Sequence, residues 1–381
     1  MAIWWLFVLT QLTAEVSARP LGLMRIMVGT AAGIRVVIGL PALLKLSEAT
    51  TLKVPVFEWM PEPSTGIAVS VGAVWLVSAV LFALGWRVTL SGLLLLGSIV
   101  FVLLLDDQLY GNHLYLISWL VLLLVVADCG AALTLKGVER GVVRWPLLLL
   151  MMQASIVYGF AGISKMNADF LSGTILAAVL KDGLIQFPEA LRTPQVLRVL
   201  AATAVFVELF IAVFLWFPRF RPAAFVLGLG LHTGILVFMS ATGQLIVFGI
   251  VMLSLYPLFL STERLMVIWD DTCSSCESWV KRFERIDLFQ VLSAIGASDL
   301  ANDLPVADVR RSLHLKHGRV TSGFGAITRI LEHLVPTLWV APILRLPGVS
   351  SLGERWYVWQ AGRRSCPVGF SDDEVASSSD P

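Results

Sequence analysis

The sequence predicts a multi-pass α-helical membrane bundle of about eight transmembrane helices, followed by a small C-terminal α/β domain. Three observations carry this expectation. Charged residues make up only 14% of the 381 residues and apolar ones 57%, whereas soluble domains run about 25% charged. Apolar runs of roughly 20 residues, the length that crosses a hydrocarbon core, recur from residue 21 to residue 260. Beyond residue 260 charged side chains return and no run is long enough to cross.

The spans follow in order. Residues 2–9 are apolar without a basic leader, which suits an interfacial helix rather than a cleaved signal. The first span is expected over 21–44 and carries Arg25 and Arg35. A proline-rich loop follows, with Trp59 as an interface anchor. Further spans are expected over 66–86, 88–105, 109–126, 145–163, 197–217, 223–240 and 245–260. Orientation follows from basic residues in short loops. With the N-terminus inside, the inner loops hold Arg87, then Lys136, Arg140 and Arg144, then Arg219 and Arg221, then Arg264. Lys45, Lys53, Lys181 and Arg192 in outer loops run against the rule. The expectation is a cell-membrane protein with both termini cytoplasmic and Lys165 in the outer half.

Net charge is +1, so no electrostatic case exists for nucleic acid as a partner. Four cysteines, widely scattered, do not make a secreted disulfide scaffold.

Ionisable side chains within apolar spans are functional candidates because their burial is expensive. Lys165 closes the fifth span, with Asn167 and Asp169 just beyond it. Asn112 and His113 open the fourth, Glu208 lies in the sixth and His232 in the seventh. Each has a plainer reading. Lys165 could snorkel, an arginine and Glu208 could pair across helices, His232 could be a hydrogen-bonded packing residue, and His113 could serve a helix cap. The chemical reading makes Lys165 a partly desolvated amine acting as a base, before an apolar cavity suited to a quinone or isoprenoid. His113, His232 or Glu208 would relay protons, and His232 and Glu208 are expected in the same cavity as Lys165. On this reading Lys165→Arg and Lys165→Met both leave folding nearly unaffected while abolishing activity.

In the tail, residues 264–269 read as a buried strand. Asp270-Asp-Thr-Cys273-Ser-Ser-Cys276 follows, then a helix over 277–286. Strand, Cys-x-x-Cys, helix is a thioredoxin-type order. It places Cys273 at a helix N-terminus, where the dipole activates a thiol. Cys273 is therefore expected to be the more accessible thiol, with Cys276 resolving a mixed disulfide. Half of a zinc site and two inert buried cysteines are the alternatives. No metal is predicted. Cys366 could act as a third thiol, and Cys129 reads as a small apolar residue.

The segment Ala161-Gly-Ile-Ser-Lys-Met-Asn-Ala-Asp-Phe170, with Asn112-His113-Leu-Tyr115, Leu21-Gly-Leu-Met-Arg25 and the stretch from His232 to Phe259, resembles the HTTM family. That family includes the transmembrane domain of vitamin K-dependent gamma-carboxylase. The resemblance covers about residues 20–260 and implies that Lys165 is the base that deprotonates a quinol. The candidate site is then Lys165, His113 and His232 as catalytic and Asn112, Glu208, Asn167 and Asp169 as substrate-binding, with a quinone or quinol as the expected cofactor. Ser164 stands where the carboxylase has a second lysine. No large lumenal region is present for propeptide and glutamate, which weighs against glutamate carboxylation. Asp270, Cys273 and Cys276, the hairpin over 313–323, Leu344-Arg-Leu-Pro-Gly348 and the closing 356–364 stretch resemble the DCC family of thiol-disulfide oxidoreductases. Trp269 and Asp271 depart from its usual tyrosine and glycine.

The expected organisation is a membrane domain over 1–261, a cytoplasmic thioredoxin-like domain over 262–370 and a disordered tail over 371–381. The expected function is redox or oxygenation chemistry on a quinone or isoprenoid-like lipid with Lys165 as base, coupled to the dithiol of Cys273 and Cys276. A thiol-redox partner protein or peptide is implied. The alternative is a non-catalytic lipid- or peptide-binding maturation protein, with the tail domain as an interaction module.

Overall fold

The structure is a computed structural model. It describes residues 9–45, 52–62, 64–180, 183–239, 243–299, 312–317 and 319–363. The interfacial helix expected over 2–9, apart from Leu9, lies outside these residues, as do the tail over 371–381 and Cys366. The chain divides into two compact units after Leu260.

Among the described residues, six helices of the first unit are long and apolar enough to cross a membrane. They are α1 (Arg19–Lys45), α2 (Thr65–Leu84), α3 (Val88–Leu105), α5 (Arg144–Ser164), α8 (Pro194–Phe214) and α9 (Arg221–Phe238). Two shorter apolar helices, α4 (Asn112–Val126) and α10 (Gly243–Leu253), accompany them, and α10 runs on into a 3-10 turn over Tyr256–Phe259. Short α6 (Ala168–Leu171) and α7 (Thr174–Val179) bridge α5 to α8. Only about a third or less of the most apolar stretch of α1, α2, α8 and α9 is buried inside the unit. Phe160, Ile163, Phe206 and Val199 remain more than 60% exposed, a pattern that suits a hydrocarbon surround.

Local chemistry sets the helix ends. Ser64 and Thr193 cap α2 and α8 by accepting from the amides of Ile67 and Val196. Gly85 closes α2 in the left-handed conformation at φ 76°, which glycine adopts without strain. Two short strands, β1 (Glu15–Ser17) and β2 (Gly141–Val143), pair antiparallel. Arg25 is fully buried, and its guanidinium donates to the carbonyls of Cys129 (2.7 Å), Ala132 (3.1 Å) and Leu133 (2.5 Å). It thereby satisfies carbonyls of a 3-10 turn over Cys129–Ala131 and the residues just after it, a segment that packs against α1.

The second unit holds a mixed four-stranded sheet with order β4-β3-β5-β6. Its strands are β3 (Leu265–Trp269), β4 (Leu292–Gly296), β5 (His314–His317) and β6 (Arg319–Ser322). Strands β3 and β4 are parallel, and β3–β5 and β5–β6 are antiparallel. Helix α11 (Ser274–Ile286) is the crossover that the parallel pair requires. Helices α12 (Gly323–His333), α13 (Ala341–Leu344) and α14 (Pro347–Gly362) complete the unit. The hydroxyl of Tyr357 accepts from the amide of Leu313 at 2.8 Å, joining α14 to the sheet.

Candidate functional site

Lys165 is the C-cap of α5. Its ammonium lies 2.5 Å from Oε1 of Glu208 on α8 and 5.8 Å from the centre of the Phe170 ring. The Glu208 side chain is 6% exposed and that of Lys165 is 30%. The two helices approach closely because Gly162 faces Leu209: a Cβ on Gly162 would sit 2.8 Å from the leucine side chain. Oε2 of Glu208 is buried and has no hydrogen-bond partner among the described residues. A carboxylate oxygen in that state has desolvation uncompensated, and it is an acceptor left open beside the amine.

Asn167 secures the chain just past Lys165. Its Oδ1 accepts from the amide of Phe170 at 2.9 Å and its amide donates to the Ser164 carbonyl at 2.8 Å. Phe170 then buries against Ala201 and Val205 of α8. Asn167 thus acts on backbone geometry. Asp169 and Asn112 are exposed.

Two turns inward along α5 from Lys165, Tyr158 holds a second polar centre. Its hydroxyl is 2.7 Å from Nε2 of His232 and 2.8 Å from the hydroxyl of Tyr256. All three side chains are buried. Gly228 makes room for it, since a Cβ there would lie 1.8 Å from the Tyr256 hydroxyl. The sequence reading assigned no role to Tyr158 or Tyr256. The available signal was that both tyrosines fall inside expected apolar spans, where a phenol must find a partner.

His113 belongs to a third centre. Its Nε2 accepts from Nε of Arg35 at 2.7 Å. The structure therefore corrects several expectations. Glu208 pairs with Lys165 rather than with an arginine. His113 neither caps α4, whose N-cap is Gly111, nor touches Lys165. His232 is tied to Tyr158 rather than to Lys165. Of the expected set, only Glu208 meets the lysine, because helix periodicity carried the others onto different packing interfaces.

In the second unit Cys273 is the N-cap of α11 and Cys276 lies one turn in. Their burial reverses the expected order of access: Cys273 is 1% exposed and Cys276 is 9%. Cys273 takes part in a disulfide. Asp270 is buried, and its Oδ1 accepts from the amide (3.1 Å) and hydroxyl (2.6 Å) of Thr272, closing the turn that leads into the motif. Cys276 opens on a pocket lined by Trp279, Phe283, Ile327, Trp356 and Tyr357. Cys129, in the first unit, is fully buried, and burial pushes its thiol up to about 12. It is inert at neutral pH.

Comparison with known proteins gives two family matches. The HTTM domain model matches residues 14–263, and the model for DCC1-like thiol-disulfide oxidoreductases matches residues 267–367. No curated protein and no solved structure matches the chain.

Proposed function

The chain belongs to the HTTM family and carries a DCC1-like thiol-disulfide oxidoreductase domain, and from that premise we propose a membrane redox protein in which Lys165 is a base toward a quinol or isoprenoid-like lipid. The observation that carries the reading is the Lys165–Glu208 pair with its unpartnered Oε2. In a medium that solvates ions poorly, such a pair can hold one proton between amine and carboxylate. With the proton on Glu208, Lys165 presents a neutral amine. Lys165 would then accept a hydroxyl proton from a quinol held beside it, with Glu208 orienting the amine, and the quinol when bound would supply the reducing electrons. Tyr158, His232 and Tyr256 supply a hydrogen-bonded chain beneath the pair through which a proton can move. The matched test assays wild type, Lys165→Arg and Lys165→Met with reduced quinone under oxygen. Arginine stays protonated, so a fully active Lys165→Arg protein refutes the base.

The finer architecture belongs to the same proposal. Counting α4 and α10 as crossings gives eight spans, with both termini on the cytoplasmic side of a cell membrane. Single cysteines at Ser64 and Ser377 in a cysteine-free background test this with an impermeant maleimide on whole cells. Labelling at Ser377 overturns it. The second domain is proposed as thioredoxin-like, supported by the sequence β3, Cys-x-x-Cys, α11 and the parallel β3–β4 pair. It would exchange disulfides with a partner protein or peptide.

A second reading has its own support. The ion pair with Glu208 and the aromatic contact with Phe170 would also suit Lys165 as a structural pin in a non-catalytic bundle that binds a lipid or peptide during maturation. Mass spectrometry of the detergent-extracted protein separates the two: a bound quinone favours the first and a co-purified peptide the second.

A further inference from the structure

Helix α14 turns Tyr357 inward, where its hydroxyl takes the Leu313 amide, so the side chains across the helix from it face outward. They are not polar. Leu352, Trp356 and Trp359 stand at i, i+4 and i+7, which is one stripe of the helix, and they stay 65%, 45% and 51% exposed. Arg355 and Arg363 are exposed on the same side, and the Arg363 guanidinium lies 3.9 Å from the centre of the Trp359 ring. The face continues onto α11, because Trp279 and Trp356 line the same cleft. Trp279 is exposed in its turn and carries the Arg282 guanidinium 5.1 Å from its ring centre. The nearby acids point elsewhere. Glu354, the one acid of α14, accepts from the Phe324 amide at 3.1 Å. Glu277 and Glu284, two residues before Trp279 and five after it, fall on the opposite side of α11.

Contiguous apolar surface of this kind marks a docking face, and its composition says for what. Indole rings settle at headgroup depth in a bilayer, and guanidinium groups beside them meet phosphates. An apolar protein surface would instead strip water from the arginines without supplying a counter-charge. A bilayer is also at hand. Only residues 261–264 separate the first unit, which carries the membrane helices, from β3, and that length of chain spans about 14 Å at most. We propose that the outward face of α14, with Trp279 and Arg282 of α11, docks the second unit onto an anionic lipid surface. Leu352 and the three indoles enter the headgroup region, while Arg282, Arg355 and Arg363 pair with lipid phosphates.

The test is hydroxyl-radical footprinting of the full wild-type chain in nanodiscs holding one chain each. Discs of phosphatidylcholine alone are compared with discs that also contain phosphatidylglycerol, and oxidation is located by proteolysis and mass spectrometry. Each arginine near an anionic surface changes binding about fivefold. With three of them, oxidation of Trp356 and Trp359 should fall about tenfold or more in the anionic discs and return in high salt. Val320, exposed on β6 away from this face, should be oxidised equally in both. Arg355→Glu/Arg363→Glu should abolish the difference, and the wild-type pair of discs decides the question even if that variant fails to fold. Equal oxidation of the two tryptophans in both wild-type discs overturns the proposal, whether they are equally open or equally covered. Protection that appears only in discs holding two chains assigns the face to a second copy and overturns it as well. Neither result touches the quinol or thiol-exchange readings.

Discussion

Lys165→Met is the most informative perturbation, because the structure makes it costly where the sequence reading did not. Methionine leaves the Glu208 carboxylate, 6% exposed, without its cation. A buried carboxylate so stranded takes up a proton instead. From an ordinary carboxyl value of about 4.3, protonation at pH 7 costs about 3.7 kcal/mol, which bounds the loss. Lys165→Arg keeps a cation at the pair and should stay within about 1 kcal/mol. Glu208→Gln keeps an acceptor and leaves an ammonium that is 30% exposed and can reach water, so about 1 kcal/mol is expected. The double variant Lys165→Met/Glu208→Leu removes both charges and should be more stable than Lys165→Met alone by about 2 kcal/mol. Thermal unfolding of the full chain in detergent reads this as an order of stability, with Lys165→Met lowest by about 5–10 °C. If the double variant melts at or below Lys165→Met, Glu208 is not the group that the lysine neutralises. Quinol turnover measured on the same set separates the chemistry from the fold, since Lys165→Arg should be stable and inactive.

Further outcomes follow from the other buried polar groups. Tyr158→Phe removes the hydroxyl that joins His232 and Tyr256 and should cost about 1–3 kcal/mol in the same melt; no change would mean that the two partners re-pair directly. Arg25→Met strips the donor from three carbonyls and should cost about 3 kcal/mol or more, read as faster hydrogen exchange over 129–135. In the second unit, burial outweighs Arg345 and Arg329 and raises the Glu332 carboxyl to about 7. A carboxyl raised on folding favours the folded state most below its unfolded value of about 4.3, and that contribution is lost as pH rises through about 7. The protection factor of α12, with the intrinsic base-catalysed rate divided out, should therefore fall between pH 5 and 7.5, and Glu332→Gln should flatten that fall; an unchanged protection profile sinks the assignment. Cys129 should resist iodoacetamide at pH 8 in the folded chain and react only after denaturation.

What the sequence determined by itself was whatever depends on local composition. Apolar runs longer than a bilayer is thick fixed the membrane helices, because backbone in hydrocarbon must satisfy its hydrogen bonds internally. The edges of α1, α3 and α5 fell within a few residues of expectation, since proline, charge and capping side chains stop a helix locally. The strand before Cys273, the helix after it and the pairing of 314–317 with 319–322 were legible for the same reason. The last apolar segment was readable as a helix, but its length was not, because α10 ends at Leu253 and a 3-10 turn takes over the backbone at Tyr256–Phe259. Only the tertiary structure decided which polar groups meet. Lys165 and Glu208 are 43 residues apart, Tyr158 and His232 74, and Arg35 and His113 78. Each span exposes several faces of nearly equal hydrophobicity, so no amphipathic stripe announced which face would turn inward. Close approach at Gly162 and Gly228 settled it, by letting Leu209 and the Tyr256 hydroxyl occupy space that a Cβ would fill. The same physics reversed the cysteines: the helix N-terminus that should activate Cys273 also buries it, and the open pocket lies one turn further along α11, at Cys276.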